Sequence, residues 1–162
     1  MKNYVLMFLT LMVFWLLLNN SMDLEIVAIG VVVSLFISLI FCSKCDIFNE
    51  ISFTPKALYA TIMFIIVFLG ALIKANLSIT KRVLSPSLPI NPGIVQVKTK
   101  LKSKVGRMVL ANAITLTPGT FTLELNGEDL FIHWVNVKSG ETEENTKEIV
   151  SSFEKYLEVM YG

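Results

Sequence analysis

A chain of 162 residues has room for about one domain, or for a membrane anchor followed by a small globular unit. Hydrophobic residues make up 54% of it and the mean hydropathy is +0.65, whereas only 17% of the residues are charged. Up to Thr80 the charges stand only at the margins of apolar runs. This pattern excludes an ordinary soluble domain and predicts an α-helical membrane protein with a polar carboxyl-terminal part. The net charge of +1 excludes nothing, because it averages blocks of opposite sign.

Three apolar segments in residues 1–80 predict three N-terminal transmembrane helices. The first segment resembles a signal sequence, but no small-residue cleavage site follows it, so we interpret it as a retained span. Only Asn19–Asp23 separates it from the second segment, and the two should therefore form an antiparallel hairpin. Three spans would place the chain termini on opposite sides of the membrane. The predicted spans are about 4–19, 24–43 and 57–76.

A basic run follows the third segment and predicts the orientation. No Asp or Glu interrupts it, and cytoplasmic loops carry an excess of Lys and Arg. We therefore expect a multi-pass protein of the plasma membrane whose C-terminal domain is cytoplasmic. The run fits a solvated, membrane-facing edge of that domain, and it also fits a contact with anionic lipid headgroups. Its members are Lys81, Arg82, Lys98, Lys100, Lys102, Lys104 and Arg107.

A proline-containing linker at 81–92 leads into residues 93–162, where the patterns predict a small cytoplasmic α+β domain of order β-α-β-β-α. One sheet should pack against two helices. The segment 104–113, with Ser103 as its cap, is too short to cross a bilayer. The predicted elements are strand 94–101, helix 104–113, strands 120–125 and 130–137, and helix 143–161.

Several side-chain placements follow from the same patterns. The second strand should turn Phe121, Leu123 and Leu125 inward, because apolar residues alternate along it. Asn126-Gly127 is typical of a type I′ hairpin turn. The third strand is apolar at nearly every position and should be central, with both faces covered.

The segment Leu110–Thr120, LANAITLTPGT, is the most specific stretch of the chain. Pro118-Gly119 predicts the centre of a type II turn, because proline fixes φ and glycine supplies a positive φ. Together with the earlier Pro92-Gly93 and the later His133-Trp134, the segment resembles the E subunit of the multisubunit Na+/H+ antiporters of the Mrp or Mnh type. Relatives of that subunit also occur in the antiporter-like arm of archaeal membrane-bound hydrogenase complexes. The family-motif and partner-docking candidates are Pro92, Gly93, Asn112, Thr115, Thr117, Pro118, Gly119, Thr120, His133 and Trp134.

The resemblance implies an accessory, non-catalytic subunit that helps assemble and stabilise the membrane arm of an antiporter or of a respiratory complex. Its partners would be complex I-like antiporter subunits and small companion subunits in a hetero-oligomer. The alternative is a stand-alone, membrane-tethered cytoplasmic adaptor domain. A third, weaker option is a membrane enzyme that uses His133 and the Cys42-x-x-Cys45 pair.

The residues themselves offer little chemistry. The predicted spans contain no acid, base or histidine at bilayer depth, so the chain should not move cations alone. Cys42 and Cys45 lack the second pair that a zinc site needs, and a fortuitous pair is the simpler interpretation. His133 is predicted to be a hydrogen-bonded core residue. We expect no catalytic, metal or cofactor site, no enzyme activity, no nucleic-acid partner and no small-molecule substrate.

Two interpretations of the polar residues in the motif stay open at this point. Asn112, Thr115, Thr117 and Thr120 could dock the domain against a partner. They could equally cap the helix end and bond the backbone of the turn, as such side chains commonly do.

Overall fold

The structure, a computed structural model, describes residues 2–41, 50, 52 and 54–161. It divides into two compact units, Met1–Ile51 and Ser52–Gly162. The first unit contains α1 (Lys2–Asn19) and α2 (Leu24–Phe41). The second contains α3 (Pro55–Val83), β1 (Gly93–Lys98), α4 (Lys104–Leu116), β2 (Thr120–Asn126), β3 (Asp129–Trp134), α5 (Thr142–Ile149) and α6 (Ser151–Tyr161).

In the first unit, α1 and α2 pack together as the predicted antiparallel hairpin. The chain reverses at Asn20, which has a φ of 48°. The indole nitrogen Nε1 of Trp15 donates a 3.0 Å hydrogen bond to the carbonyl oxygen of Ile26. A Cβ atom at Gly30 would lie 2.5 Å from Cδ1 of Trp15, so the glycine makes room for the indole ring. Trp15 therefore both bonds and packs across the hairpin.

By length and composition, α2 and α3 are apolar enough to cross a bilayer, and the part of α1 from Asn3 to Asn19 is a shorter apolar helix. Helix α3 begins with Thr54 as its N-cap, whose side-chain oxygen accepts from the backbone N–H of Ala57, and with proline in its first turn. It continues to Val83, beyond the predicted end of the third span and into the predicted linker.

The second unit is built on a three-stranded antiparallel sheet of order β1-β3-β2. Its inner face is covered by α4, α5 and α6, and β3 is the central strand, as predicted. Strand β1 ends at Lys98 rather than at Leu101 as predicted, but the predicted inward residues Val95, Val97, Thr99 and Leu101 are all buried. The N-cap of α4 is Ser103, as predicted, and its hydroxyl accepts from the backbone N–H of Gly106 at 2.9 Å.

Strand β2 corrects the prediction about its side chains. Phe121 pairs with His133 on the outer face of the sheet and is 53% exposed. A bulge lies between Thr122 and Glu124, so that Leu123 has no partner in the register. Leu125 returns to the inner face opposite Leu130 but stays 38% exposed. The predicted alternation of inward and outward side chains is wrong because the bulge inserts one extra residue. Odd-numbered residues therefore lie on the outer face before the bulge and on the inner face after it.

Three further predictions need correction. The hairpin between β2 and β3 turns at Gly127 and Glu128, one residue later than predicted, with a positive φ of 63° at Gly127 alone. Only the inner face of β3 is fully buried, because the helices lie on one side of the sheet. The last helix is broken at Val150 into α5 and α6, which lets both Val150 and Phe153 enter the core.

Helix α3 packs along α6 and completes the second unit. The ring of Phe153 on α6 lies 6.1 Å from that of Phe64 and 6.4 Å from that of Phe68, centroid to centroid. At the other end of α6, the backbone N–H of Ser52 donates to the carbonyl oxygen of Met160. The two helices are therefore antiparallel, and α3 is part of the α+β unit.

Candidate docking groove

A groove of about 440 Å³ opens beside α3 in the second unit. It lies between α3, the turn that ends α4, the segment after β3, and helices α5 and α6. We call it the α3 groove. Its lining includes Val67, Ala71, Lys74, Ile79 and Arg82 from α3, Thr117, Pro118, Gly119 and Thr120 from the turn, Trp134, Asn136 and Lys138 from the segment around the end of β3, and Glu148, Ile149, Ser152 and Phe153 from α5 and α6.

The turn at the rim of the groove is the predicted type II turn. The backbone N–H of Thr120 donates to the carbonyl oxygen of Thr117 at 3.2 Å, and Gly119 has a φ of 94°. The carbonyl oxygen of Gly119 accepts from the N–H of Val135 at 2.9 Å, which ties the turn to the chain after β3. A Cβ atom at Gly119 would lie 3.1 Å from Cδ1 of Ile79, so the turn packs closely against α3.

The threonines of the motif bond the local backbone. The hydroxyl of Thr117 donates to the carbonyl oxygen of Ala113 at 2.9 Å. That of Thr120 lies within hydrogen-bond distance of the carbonyl oxygens of Ile114 and Thr117, at 2.7 and 2.8 Å. The hydroxyl of Thr115 accepts from the N–H of Thr122 at 3.2 Å. The capping interpretation is therefore confirmed for these three side chains, and α4 runs to Leu116 rather than ending at Ala113 as predicted.

The charged groups of the α3 groove differ in how strongly they are held. The guanidinium of Arg82 donates to the carbonyl oxygen of Pro89 at 2.6 Å. The ammonium of Lys138 pairs with the carboxylate of Glu148 and lies 6.0 Å from the centre of the Trp134 ring. The exposed side chain of Lys74 contacts no acid among the described residues. The groove therefore has an excess of positive charge, because neither Lys74 nor Arg82 pairs with an acid among the described residues.

The structure brings five of the predicted residues to the groove and leaves five outside it. Thr117, Pro118, Gly119, Thr120 and Trp134 line it, whereas Pro92, Gly93, Asn112, Thr115 and His133 do not. Gly93 begins β1 opposite Trp134, where a Cβ atom would lie 3.1 Å from Cγ2 of Val137. Pro92 and Asn112 are exposed.

The prediction for His133 was wrong. Its side chain is on the outer face of the sheet, half-buried between Ile94 and Phe121 in the register, and it makes no hydrogen bond to another described residue. The sequence suggested a core residue because its neighbours Ile132 and Trp134 are apolar. Those neighbours are on the inner face, and the alternation of a strand places the histidine on the other one.

Among the described residues there is no group of three or more His, Cys, Asp or Glu that could hold a metal ion. Cys42 and Cys45 lie outside the described residues. The sequence reasoning missed the α3 side of the groove. A helical wheel of α3 would have found it, since Val67, Ala71, Lys74 and Ser78 recur at three and four residues, which places them on one side of the helix.

Sequence reasoning also missed a buried polar pair beneath the sheet. The hydroxyl of Thr99 donates to Oε1 of Glu154 at 2.5 Å, and the same oxygen accepts from the backbone N–H of Lys100 at 2.7 Å. Both side chains are buried. The pair links the end of β1 to α6 and thereby fixes the helix that packs on α3.

Together these features define a small helical membrane protein that carries an α+β unit with a groove beside its longest helix. The chain belongs to the family of Na+/H+ ion antiporter subunits (MNHE), whose model matches residues 8–160. It is 34% identical to the E subunit of the Na+/H+ antiporter of Alkalihalophilus pseudofirmus, over 94% of each chain. It is also 34% identical to the E1 subunit of the Staphylococcus epidermidis Na+/H+ antiporter, over 90% of this chain and 89% of that one.

A solved structure is similar over nearly the whole chain. It is a chain of the membrane-bound sulfane sulfur reductase, an archaeal respiratory membrane complex. The identity is 41% and the TM-score 0.78, over 97% of this chain and 98% of that one. The resemblance to the E subunit family seen in the sequence is thus confirmed.

Proposed function

We propose that this chain is an accessory, non-catalytic subunit of a multisubunit Na+/H+ antiporter, or of a respiratory complex with such a module, and that it acts in assembly and stabilisation. The observation that carries the proposal is the distribution of ionisable groups. In α1 and α2 the charged residues are confined to Lys2 and Glu25, each at the beginning of its helix. A proton or sodium path through a bilayer needs polar groups at depth, so other subunits would supply it.

The contacts of the motif support a structural role. The hydroxyls of the threonines bond the backbone at the end of α4 and in the turn. The turn packs against α3, where Gly119 lies beside Ile79. The exposed side chain of Asn112 makes no hydrogen bond to a described residue, so its amide can bond a neighbouring subunit. We propose that Asn112 and the rim of the α3 groove contact other subunits of the complex.

We further propose that the α+β unit lies on the cytoplasmic side of the plasma membrane. From Lys56 to Leu123 the sequence contains no Asp or Glu, whereas Lys56, Lys74 and the whole basic run lie within this segment. The positive-inside rule associates such a segment with the cytoplasm. No enzyme activity is proposed for the chain.

The test is a mild-detergent pull-down of the tagged chain from its native membranes, followed by mass spectrometry. Multi-span antiporter subunits should co-purify in near-equal amounts. Asn112→Ala should reduce the yield of these subunits. Because alanine is the better helix former, the substitution leaves α4 intact and a loss of yield reports on docking. Glu144→Ala, at an exposed position of α5, is the matched control and should leave the yield unchanged.

A chain that comes down alone, or with one soluble protein, would contradict the subunit proposal and favour the tethered adaptor. If the partners co-purify equally well with Asn112→Ala, the subunit role stands and the docking role of Asn112 falls. Na+/H+ exchange by the purified chain alone would contradict the non-catalytic role.

A further inference from the structure

The lining of the α3 groove combines apolar side chains with hydrogen-bond donors that the chain itself does not use. The apolar part comes from α3, α4 and α6. It suits one or two apolar side chains of a ligand, because their burial there removes apolar surface from water. Its members include Val67, Ala71, Ile79, Ile114 and Phe153.

Three side chains of the lining donate to no acceptor among the described residues. They are the ammonium of Lys74, the indole N–H of Trp134 and the side-chain amide of Asn136. Lys74 is exposed, whereas Trp134 and Asn136 are half-buried. Lysine and tryptophan side chains can only donate hydrogen bonds. A ligand that satisfies these groups must therefore supply acceptors.

The charges of the groove call for the same kind of ligand. The carboxylate of Glu148 is paired with Lys138, so it is not available to the other cations of the lining. The guanidinium of Arg82 donates to the carbonyl oxygen of Pro89, which carries no net charge. The charges of Lys74 and Arg82 are therefore not compensated within the described part of the chain. A negatively charged ligand is favoured, because opposite charges attract more strongly where water is partly excluded.

The arrangement of charges also distinguishes between anions. A phosphate monoester carries about 1.5 to 2 negative charges and is typically bound by a cluster of arginines. Arg82 of this groove is already bonded to Pro89, and the carboxylate of Glu148 in the same lining repels a second negative charge. A carboxylate carries a single charge and accepts at two oxygens. It matches the ammonium of Lys74 together with neighbouring N–H donors.

The neutral polar residues of the lining favour a polypeptide over the acyl chain of a lipid. Ser78, Asn136 and Ser152 contribute to the lining together with the apolar side chains. An acyl chain would cover their polar groups without offering a hydrogen bond, which is costly. A polypeptide has a backbone N–H and C=O at nearly every residue, and these groups can pair with them.

We propose that the α3 groove binds a polypeptide segment of a neighbouring subunit, and that this segment carries an aspartate or glutamate beside an aliphatic side chain. The carboxylate accepts from the ammonium of Lys74 and from the N–H donors around the end of β3. The aliphatic side chain packs on the apolar part of the lining. This inference rests on the proposed function, because it names the chemistry of the partner at the groove.

The test is zero-length cross-linking of the intact complex in mild detergent. A water-soluble carbodiimide joins a lysine amine to a carboxylate in contact with it. Mass spectrometry of the digested complex should find Lys74 joined to an Asp or Glu of a neighbouring subunit. Lys138 and Glu148 are the internal control, because the reagent should join this existing ion pair within the chain.

Two substitutions of Lys74 separate its charge from its amine. Lys74→Arg keeps the charge but cannot couple, so the complex should stay whole and the link should disappear. Lys74→Gln should speed the dissociation of the linked subunit by about tenfold, through loss of a hydrogen bond between charged groups. Lys147→Gln, at an exposed position of α5 outside the groove, is the matched control. All three variants should fold like the parent chain, since neither lysine pairs with an acid among the described residues.

The outcomes separate this inference from the proposed function. A complete complex in which Lys138 is joined to Glu148 while Lys74 stays unlinked, as in a groove filled by lipid, would overturn the inference and leave the subunit role standing. Lys74 joined to a second copy of this chain would overturn the assignment to a neighbouring subunit. Equal dissociation rates for Lys74→Gln and Lys147→Gln would overturn the contact with a carboxylate. A chain that purifies without other subunits would contradict the proposed function and this inference with it.

Discussion

Gly119→Ala tests whether the motif turn needs glycine and what it packs against. The φ of 94° is one that residues with a side chain rarely adopt, and holding such a residue there costs about 1–3 kcal/mol. The new Cβ would also lie 3.1 Å from Cδ1 of Ile79, although that methyl group can shift. We expect the free energy of unfolding to fall by about 2 kcal/mol in total.

Gly127→Ala separates the two contributions. Gly127 has a φ of 63°, but no atom lies within 4 Å of the position of its Cβ. Its loss should be about 1 kcal/mol, the cost of a single left-handed residue. Gly140→Ala is the neutral control, because Gly140 has neither a positive φ nor a close neighbour.

The assay is thermal unfolding of the purified chain in mild detergent, followed by circular dichroism. For a chain of this length, 1 kcal/mol corresponds to about 2–4 °C, so Gly119→Ala should lower the Tm by about 4–8 °C and Gly127→Ala by about 2–4 °C. Adding Ile79→Val to Gly119→Ala should recover part of the loss. If Gly119→Ala melts like Gly140→Ala, the reasoning about the turn is refuted.

Three further predictions concern other contacts. Thr99→Val should lower the free energy of unfolding by about 1.5–3 kcal/mol, because it removes a hydrogen bond to the buried carboxylate of Glu154. The measurement is a denaturant titration, and an unchanged unfolding midpoint would contradict this prediction. Trp15→Phe should weaken the α1–α2 hairpin by about 0.5–1.5 kcal/mol through loss of the bond to Ile26, measured by the protease resistance of the hairpin, and equal resistance would refute it. Burial raises the pKa of Tyr161 above its ordinary value of 10.0. The contribution of Tyr161 to stability is therefore present below pH 10 and is lost as the pH rises through the folded-state pKa. Tyr161→Phe should reduce the fall of Tm above pH 10, and a pH profile identical to that of the parent chain would contradict the assignment.

Much of the α+β unit was predictable because local rules decide it. The alternation in β1 gave the buried residues correctly, since a strand that ends beside a core must place every second side chain inward. Ser103 and Thr54 stand at helix starts where a side-chain oxygen satisfies a free backbone N–H. The type II turn at Pro118-Gly119 follows from the steric limits of two adjacent residues.

The errors concern residues whose side of the sheet depends on the pairing with a partner strand. Phe121 points outward because of the bulge in β2, and His133 is on the outer face because of the register with β1 and β2. Neither the bulge nor the register is visible in a single strand. Five of the ten candidate residues, four in the turn and Trp134, lie at one groove because the sheet brings β3 beside the end of α4. Asn112 is exposed and does not line the groove.

The sequence by itself determined the class of the protein, its apolar hairpin and the local chemistry of its caps and turn, because these depend on composition and on neighbours along the chain. The tertiary structure decided which side of α3 is covered. Helix α3 is apolar on nearly every side, so its pattern fits a bilayer, a protein core or both. Only the packing of Phe64 and Phe68 on Phe153 shows that one side of α3 is covered by α6.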